Sequence, residues 1–210
     1  MKKILKLAVC LLMAMTMVAC GGTSTDKQEA VVKNFFDYLK AGDLEKLSTV
    51  CTKDNTDVED LTSMLGDLEE FRDAETYGQT FVDEADKFIA YVFSNYITSY
   101  EINSVDEDGD NYLVIVDVKM KDYENLDITA ETTEIANNYQ TEHMSELQEI
   151  YLSEGMDAMM QKLYSELATE LFDAMKKEID GAKTINTQLR FTLTPDGDNW
   201  LISTIEQKAE

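Results

Sequence analysis

Histidine, proline and cysteine are scarce in this chain of 210 residues, which has one His, one Pro and three Cys. So few prolines, with only 9 Gly, argue against long disordered segments and predict a chain that is ordered nearly throughout. Cys10 and Cys20 lie in the N-terminal segment, so Cys51 is the only thiol left for the folded part. No intramolecular disulfide can form there, and Leu47 and Val50 at helical spacing before Cys51 predict a buried, unreactive thiol.

Basic residues are also few, with 18 Lys and Arg against 42 Asp and Glu and a net charge of −24. Such a charge repels phosphate backbones, which excludes nucleic acid as a partner. It also argues against peripheral binding to anionic lipid head groups. The sequence has no signature of a Ser or Cys nucleophile, of a phosphate-binding glycine loop or of a dinucleotide site. It therefore favours a protein that is not an enzyme and has no cofactor. A pair of carboxylates acting on a sugar remains open, because their separation in space is not readable from sequence.

The first nineteen residues reverse the charge pattern, with Lys2, Lys3 and Lys6 and no acidic residue. An apolar run over residues 7–19 follows, interrupted only by Thr16. A short basic segment before a short apolar one is typical of a secretory signal and is too short to span a bilayer comfortably. Residues 1–19 are therefore predicted to be a signal peptide.

The apolar run ends in Met17-Val18-Ala19-Cys20 and is followed by two glycines. This string resembles the lipobox of bacterial lipoproteins, although that family usually has Leu where Met17 stands. The resemblance implies palmitate-type acylation of Cys20, residues 20–25 as lipidated cysteine and short tether, and attachment to the extracytoplasmic face of the cell membrane. Loss of residues 1–19 would leave 15 basic and 42 acidic residues, a net charge of −27. An ordinary cleaved signal and an uncleaved N-terminal anchor are the alternatives.

Helical patterns fill the first half of the remaining chain. Thr25 and Gln28 form a capping-box pattern, and apolar residues recur at helical spacing until Gly42, after which Asp43 caps a short second helix. A third amphipathic helix is predicted over 58–71. A fourth follows Gly78 and is apolar around most of its circumference, so we expect it to be central.

From about residue 100 the apolar period changes from 3.6 to 2, which indicates strands. The string DGDN followed by an aromatic occurs at 108–111 and again at 196–199, and each copy predicts a turn that joins two antiparallel strands. Between these strand pairs, an insert over about 127–183 is helical. The order of elements predicts a single α+β domain over 26–210, with helices on one face of an antiparallel sheet.

Two strings, VVKNFFDYLKAGDLEKLSTVCT (31–52) and FTLTPDGDNWLIST (191–204), are similar to the first two helices and the last hairpin of the nuclear-transport-factor-2-like superfamily. Many Gram-positive lipoproteins of unknown function share this frame. The similarity covers about 26–51, 99–123 and 184–206, under half of the mature chain. It implies a cone-shaped domain, in which N-terminal helices pack on a small curved sheet of two hairpins with a long helical insertion between them. It also implies that Trp200 faces the core. No catalytic residue can be carried over, because no strand here offers a His.

Asp106, Asp108 and Asp110 superficially suggest a calcium loop. An EF-hand loop requires Gly at its sixth position and a bidentate Glu at its twelfth. Here Gly109 stands at the fourth position and Asp117 at the twelfth, inside the predicted strand. The pattern therefore favours a turn, and no metal site is predicted.

The insert carries the only histidine, His143, between Glu142 and Glu146. Because a second His is missing, His143 is predicted to pack at the edge of an apolar stripe and not to bind metal or act in catalysis. Apolar residues recur along 156–179 after Gly155. This stripe can pair with the helical segment 132–151 as a hairpin, pack on the sheet, or pair with a partner helix. Internal pairing and a mainly monomeric domain are expected.

Together these patterns predict an extracytoplasmic, membrane-anchored lipoprotein that binds a small apolar ligand or another envelope protein. Two alternatives stay open. The chain could be an enzyme that uses an acidic residue in the cone pocket, with a pKa raised by burial. It could also be an assembly protein that associates through the insert.

Overall fold

The computed structural model describes residues 24–56, 72–123, 126 and 129–207. The predicted signal peptide, Cys20 and all of the third predicted helix (58–71) lie outside the described residues. The described strands form a four-stranded antiparallel sheet in the order β1-β2-β3-β4: Ile97–Asp108, Asn111–Lys121, Thr184–Asp196 and Asn199–Gln207. The described α-helices α1 to α6 are Asp26–Ala41, Leu44–Thr49, Ala74–Tyr77, Gln79–Tyr96, Thr129–Glu154 and Met156–Gly181. The predicted α+β class, with an antiparallel sheet, is confirmed.

Helix α1 begins and ends where the sequence predicts, but its N-terminal cap differs. Gly42 has φ +66°, and its N–H bonds to the last-turn carbonyls, as expected of a glycine C-cap. The side chain of Thr25 makes no capping hydrogen bond, so the predicted capping box is wrong. Gln28 is instead 5% exposed. In the amide orientation that satisfies both partners, its nitrogen donates to the Thr25 carbonyl (3.1 Å) and its oxygen accepts from Trp200 Nε1 (3.2 Å).

Helix α2 begins at the predicted cap and leads to the sheet. The Asp43 carboxylate accepts from the backbone N–H of Lys46 at 3.0 Å. After the helix, Cys51 forms a parallel bridge with Ile202 of β4. The side chain of Cys51 is buried, as its helical neighbours predicted.

The period-2 apolar residues of the strands build the main core. On the face that α1 covers, six side chains are at most 2% exposed: Val114, Val116, Val118, Phe191, Leu193 and Ile202. Phe35, Phe36 and Leu39 of α1 pack against them. Trp200 lies at the margin of this core, partly buried against the edge of the Tyr112 ring at 4.9 Å. The expectation of a core-facing Trp is therefore only partly met.

Helices α5 and α6 connect two strands that are direct neighbours in the sheet. Lys121 at the end of β2 pairs with Thr184 at the start of β3. The Lys121 ammonium donates to the carbonyl oxygens of Asp180 (2.8 Å) and Ala182 (3.0 Å). The Tyr91 hydroxyl of α4 bonds to the Asp180 carboxylate. Contacts from β2 and α4, together with the pairing of β2 with β3, thus hold the C-terminal end of α6 in place.

The apolar stripe of α6 is covered from two sides. Toward α5 it buries Leu163 and Leu167 against Leu147. Toward α4 it buries Ala168 and Phe172. The helical hairpin predicted to turn near Gly155 is confirmed, and α5 packs mainly on α6. Helix α4 contacts both this hairpin and the main core, as expected of a central helix.

Candidate binding surface

The space between α1 and the middle of the sheet is filled by side chains. Phe36 is fully buried and stacks on Tyr100, with ring centroids 4.2 Å apart. Phe191 packs edge-on against Phe36 at 5.6 Å and against Phe35 at 5.4 Å. A ligand enclosed by these elements would therefore have to displace core aromatic rings.

Exposed apolar side chains lie away from this core, around the turn of the α5/α6 hairpin. Of the five large apolar side chains that are exposed in the described residues, four lie there. We define the tip patch as these four residues, with their exposed fractions: Met144 (62%), Tyr151 (46%), Leu152 (75%) and Met156 (53%). The fifth, Ile185 (38%), lies on β3. Single exposed apolar residues are normal, whereas four within residues 144–156, on either side of the turn at Gly155, indicate an interaction surface.

A groove of about 430 Å³ runs between the two helices at the tip patch. Leu147 and Leu163 are almost fully buried and form its floor. Met144, Met159 and Met160 line it together with Tyr151 and two glutamines. Unbranched thioether side chains adapt their shape to different partners, and they are common on surfaces that bind helices. The groove is thus suited to an apolar side chain of another molecule.

The tip patch is exposed because the hairpin extends beyond the helices that support it. Tyr164 of α6 packs against Tyr77 of α3, with ring centroids 4.9 Å apart, and against Phe81 of α4. Gly78 approaches α6 so closely that a Cβ there would collide with Ser165 Oγ. The aromatic contacts of α3 and α4 with α6 thus extend only as far as Tyr164, and the first turn of α6 lies beyond them. This half of the hairpin is held mainly by contacts between α5 and α6.

Helix α5, which forms one wall of the groove, is acidic. Helix α5 contains six glutamates and no Lys or Arg between residues 129 and 154. Lys162 of α6 crosses to Glu146 (3.1 Å) and also pairs with Glu166 (2.5 Å). Hydrogen bonds to Glu166 and Glu146 raise the pKa of Lys162. Lys162 is therefore already paired within the hairpin.

His143 belongs to a polar network that joins α5 to α6. Its ring stacks on Tyr139 at a centroid distance of 4.2 Å, and its Nδ1 lies 3.2 Å from a Glu146 oxygen. The Tyr139 hydroxyl bonds to Glu166. Burial and this bond raise the pKa of Tyr139 to about 12, and the bond from His143 lowers the pKa of Glu146. The predicted packing role of His143 is confirmed.

The three aspartates that suggested a calcium loop are separated by the local structure. Asp108 ends β1, and Gly109 adopts φ +64° in the turn before β2. Asp106 lies within β1 and accepts a hydrogen bond from Ser104 at 2.8 Å. Over the part of the chain that the structure describes, no three His, Cys, Asp or Glu side chains are grouped as a metal site would require.

Sequence reasoning followed the buried stripe of the insert and missed the tip patch. The sequence contains no clear signal of it, because Met144 and Tyr151 stand three and four residues from Leu147 and continue the same stripe of α5. Only Leu152 lies on another side of this helix, and a single exposed apolar residue is not a signal.

The chain matches no model of a known protein family, and no curated protein aligns with it significantly. Within the described ranges, no helix is long and apolar enough to cross a membrane.

Proposed function

We propose that this protein is a lipoprotein, anchored through Cys20 to the extracytoplasmic face of the cell membrane, that binds another envelope protein without catalysis. The single observation that carries the binding role is the tip patch. Fully burying a large apolar side chain is worth about 1.5–3 kcal/mol, so covering the exposed part of four of them favours a complex. The anchoring role rests on the sequence at residues 17–20.

The anchor keeps the domain close to the membrane. Helix α1 begins at Asp26, six residues after Cys20. At about 3.5 Å per extended residue, this tether reaches roughly 20 Å. Helices α5 and α6 each contain 26 residues, which corresponds to a length of about 39 Å. A short tether with a long helical arm suits contact with a neighbour in the same envelope.

The nuclear-transport-factor-2-like frame belongs to this proposal. The order of a long helix, a short helix, two strands, a helical pair and two strands supports it. In this frame, the curved sheet consists of two hairpins, and the helical hairpin is the insertion between them. The frame supplies a rigid platform, and the insertion supplies the binding surface.

A protein partner fits the structure better than a small apolar ligand. Core rings such as Phe36 and Phe191 occupy the space between α1 and the sheet, where an enclosed ligand would be expected. The groove at the tip has the volume of a small-molecule site, but it is open and flanked by exposed apolar residues. An open patch around a groove is typical of a protein interface, where a buried anchor is surrounded by further contacts.

Electrostatics supports the non-enzymatic reading. A general acid in a pocket requires a carboxyl group with a raised pKa. In the described part of the chain, the four carboxyls whose pKa departs from its ordinary value are all shifted downward: Asp43, Asp73, Glu146 and Glu166. Each accepts hydrogen bonds that favour its charged form.

Anchoring is tested by replacing Cys20 with Ser. We expect the wild-type protein to take up a palmitate analogue and to sediment with membranes. The Cys20→Ser variant should remain unlabelled and keep its signal peptide, because the acylated thiol is missing. Cys51→Ser is the matched control and should label normally, since that thiol is buried in the domain. A wild-type protein that takes up no label would refute the lipoprotein assignment.

A further inference from the structure

We propose that the free edge of strand β1 (Ile97–Asp108) binds an extended, basic segment of another protein, which adds a fifth strand to the sheet. This surface lies on a different element from the tip patch, so the inference goes beyond the proposed function. Backbone hydrogen bonds to β1 would supply affinity, and the side chains that alternate along the added strand would supply selectivity.

The two edges of the sheet differ in how the chain treats them. At β4, the N–H of Ile202 donates to the Val50 carbonyl (2.9 Å), and its carbonyl accepts from the N–H of Thr52 (2.9 Å). Strand β1 stands at the opposite edge. In the described part of the chain, the backbone of 99–108 bonds to no element other than β2. Alternate residues of an edge strand turn their N–H and C=O groups outward, so this stretch can pair with a further strand.

Little in β1 itself prevents such pairing. Edge strands are commonly protected by a short length, by Lys, by Pro or by bulges. Strand β1 has 12 residues and contains neither Lys nor Pro. Its bulge between Ile102 and Ser104 leaves two regular stretches, 99–102 and 104–108. A short added strand fits along either stretch.

One face of β1 carries the main core to the edge of the sheet. Tyr100, Ile102 and Val105 stand opposite buried valines of β2 and pack on the main core, yet they are only partly buried. An added strand with an apolar residue at every second position would cover their exposed sides.

The other face of β1 is acidic. Glu101 stands directly opposite Asp117 of β2, and like charges at opposite positions destabilise a sheet. Asp106 lies farther along the same face and is also exposed. Among the described residues, neither Glu101 nor Asp106 forms an ion pair, although Lys119 stands nearby opposite Ser99. A Lys or Arg on an added strand would lie about 5 Å from Glu101 and offset the repulsion.

A second copy of the chain is a poorer occupant of this edge. Strand β1 contains four acidic residues and no basic one: Glu101, Asp106, Glu107 and Asp108. Pairing of two β1 strands would place acidic side chains against acidic ones, between chains that each have a net charge of −24. The same charges attract a segment that alternates basic and apolar residues.

A direct test uses four short synthetic peptides. The first alternates Lys and Val, and the second has the same composition with all Lys in one block. The third is the first peptide methylated at every backbone nitrogen, and the fourth replaces Lys by Glu. Binding to the lipid-free protein is followed by fluorescence anisotropy at physiological salt. We expect the first peptide to bind at least tenfold more tightly than each of the others, because only it combines alternation, positive charge and free backbone N–H groups.

Two variants and a second measurement locate the site. Glu101→Lys should weaken binding of the first peptide at least tenfold. Glu134→Lys, the matched control, makes the same change of charge at an exposed site on α5 and should bind as the wild type does. Circular dichroism checks that both variants keep their fold. In the wild type, the bound peptide should slow hydrogen exchange in β1 and leave β4 unchanged.

The proposal is overturned if the methylated peptide binds as tightly as the first, because backbone pairing is then not involved. Equal binding by Glu101→Lys and Glu134→Lys, or slowed exchange outside β1 alone, would also overturn it. Light scattering and hydrogen exchange of the protein without peptide address the other occupant. A dimer whose β1 amides are already protected would assign the edge to a second copy and contradict the proposal.

Discussion

Phe36→Ala is expected to lower the free energy of unfolding by about 3–5 kcal/mol, the usual cost of emptying a buried aromatic site. The side chain of Phe36 is fully buried between α1 and the sheet. It stacks on Tyr100 and packs edge-on against Phe35 and Phe191. Close-packed rings on several sides cannot collapse into the space without leaving their own contacts.

Urea unfolding of the lipid-free domain measures this loss. Tyr151→Ala is the matched control, because it removes an exposed aromatic ring from the tip patch. Its effect should be within about 0.5 kcal/mol, as for most surface substitutions. A loss of under about 1 kcal/mol for Phe36→Ala would show that the core between α1 and the sheet is loosely packed. The interior would then be a plausible ligand site again.

Leu167→Asp is expected to detach α5 from α6. The side chain of Leu167 is 3% exposed and packs with Leu147 and Leu163 between the two helices. Loss of its apolar contacts alone costs about 2–5 kcal/mol. A carboxylate at this position would add the cost of burying an unpaired charge. Since α5 packs mainly on α6, it has little else to hold it in place.

Hydrogen exchange resolves this effect along the chain. In Leu167→Asp, backbone amides of α5 should lose protection, whereas those of β2 and β3 should keep most of theirs, because the main core is a separate cluster. Leu152→Asp makes the same substitution at an exposed site one turn from the hairpin's end, and should leave protection unchanged. Unfolding of both regions together would show that the hairpin and the sheet form one cooperative unit.

Much of the fold followed from local patterns in the sequence. Gly42 and Asp43 marked the boundary between α1 and α2, because one needs a left-handed conformation and the other supplies a capping carboxylate. Alternation along 112–120 identified the core face of β2. Gly155 between two helical patterns predicted the hairpin turn. Each of these signals acts over a few residues, so the sequence alone contains it.

Features that depend on distant residues were predicted less well. Gln28 was expected to close a capping box, but it turns inward, where the Trp200 N–H gives it a partner 172 residues away in sequence. The burial of Trp200 likewise depends on residues distant in sequence, such as Gln28 and Tyr112. The tip patch was missed because it depends on how far α6 extends past Tyr164. No local pattern specifies that length.

The central claim is that the tip patch binds another envelope protein, and crosslinking in living cells tests it most directly. A photoreactive amino acid is placed at Leu152 of the full-length chain, and at Ile185 as a control for exposed apolar sites. We predict one adduct with a different protein at Leu152 and none at Ile185. An adduct with the mass of two copies of this chain would contradict the account, as would equal adducts at both sites or none at Leu152.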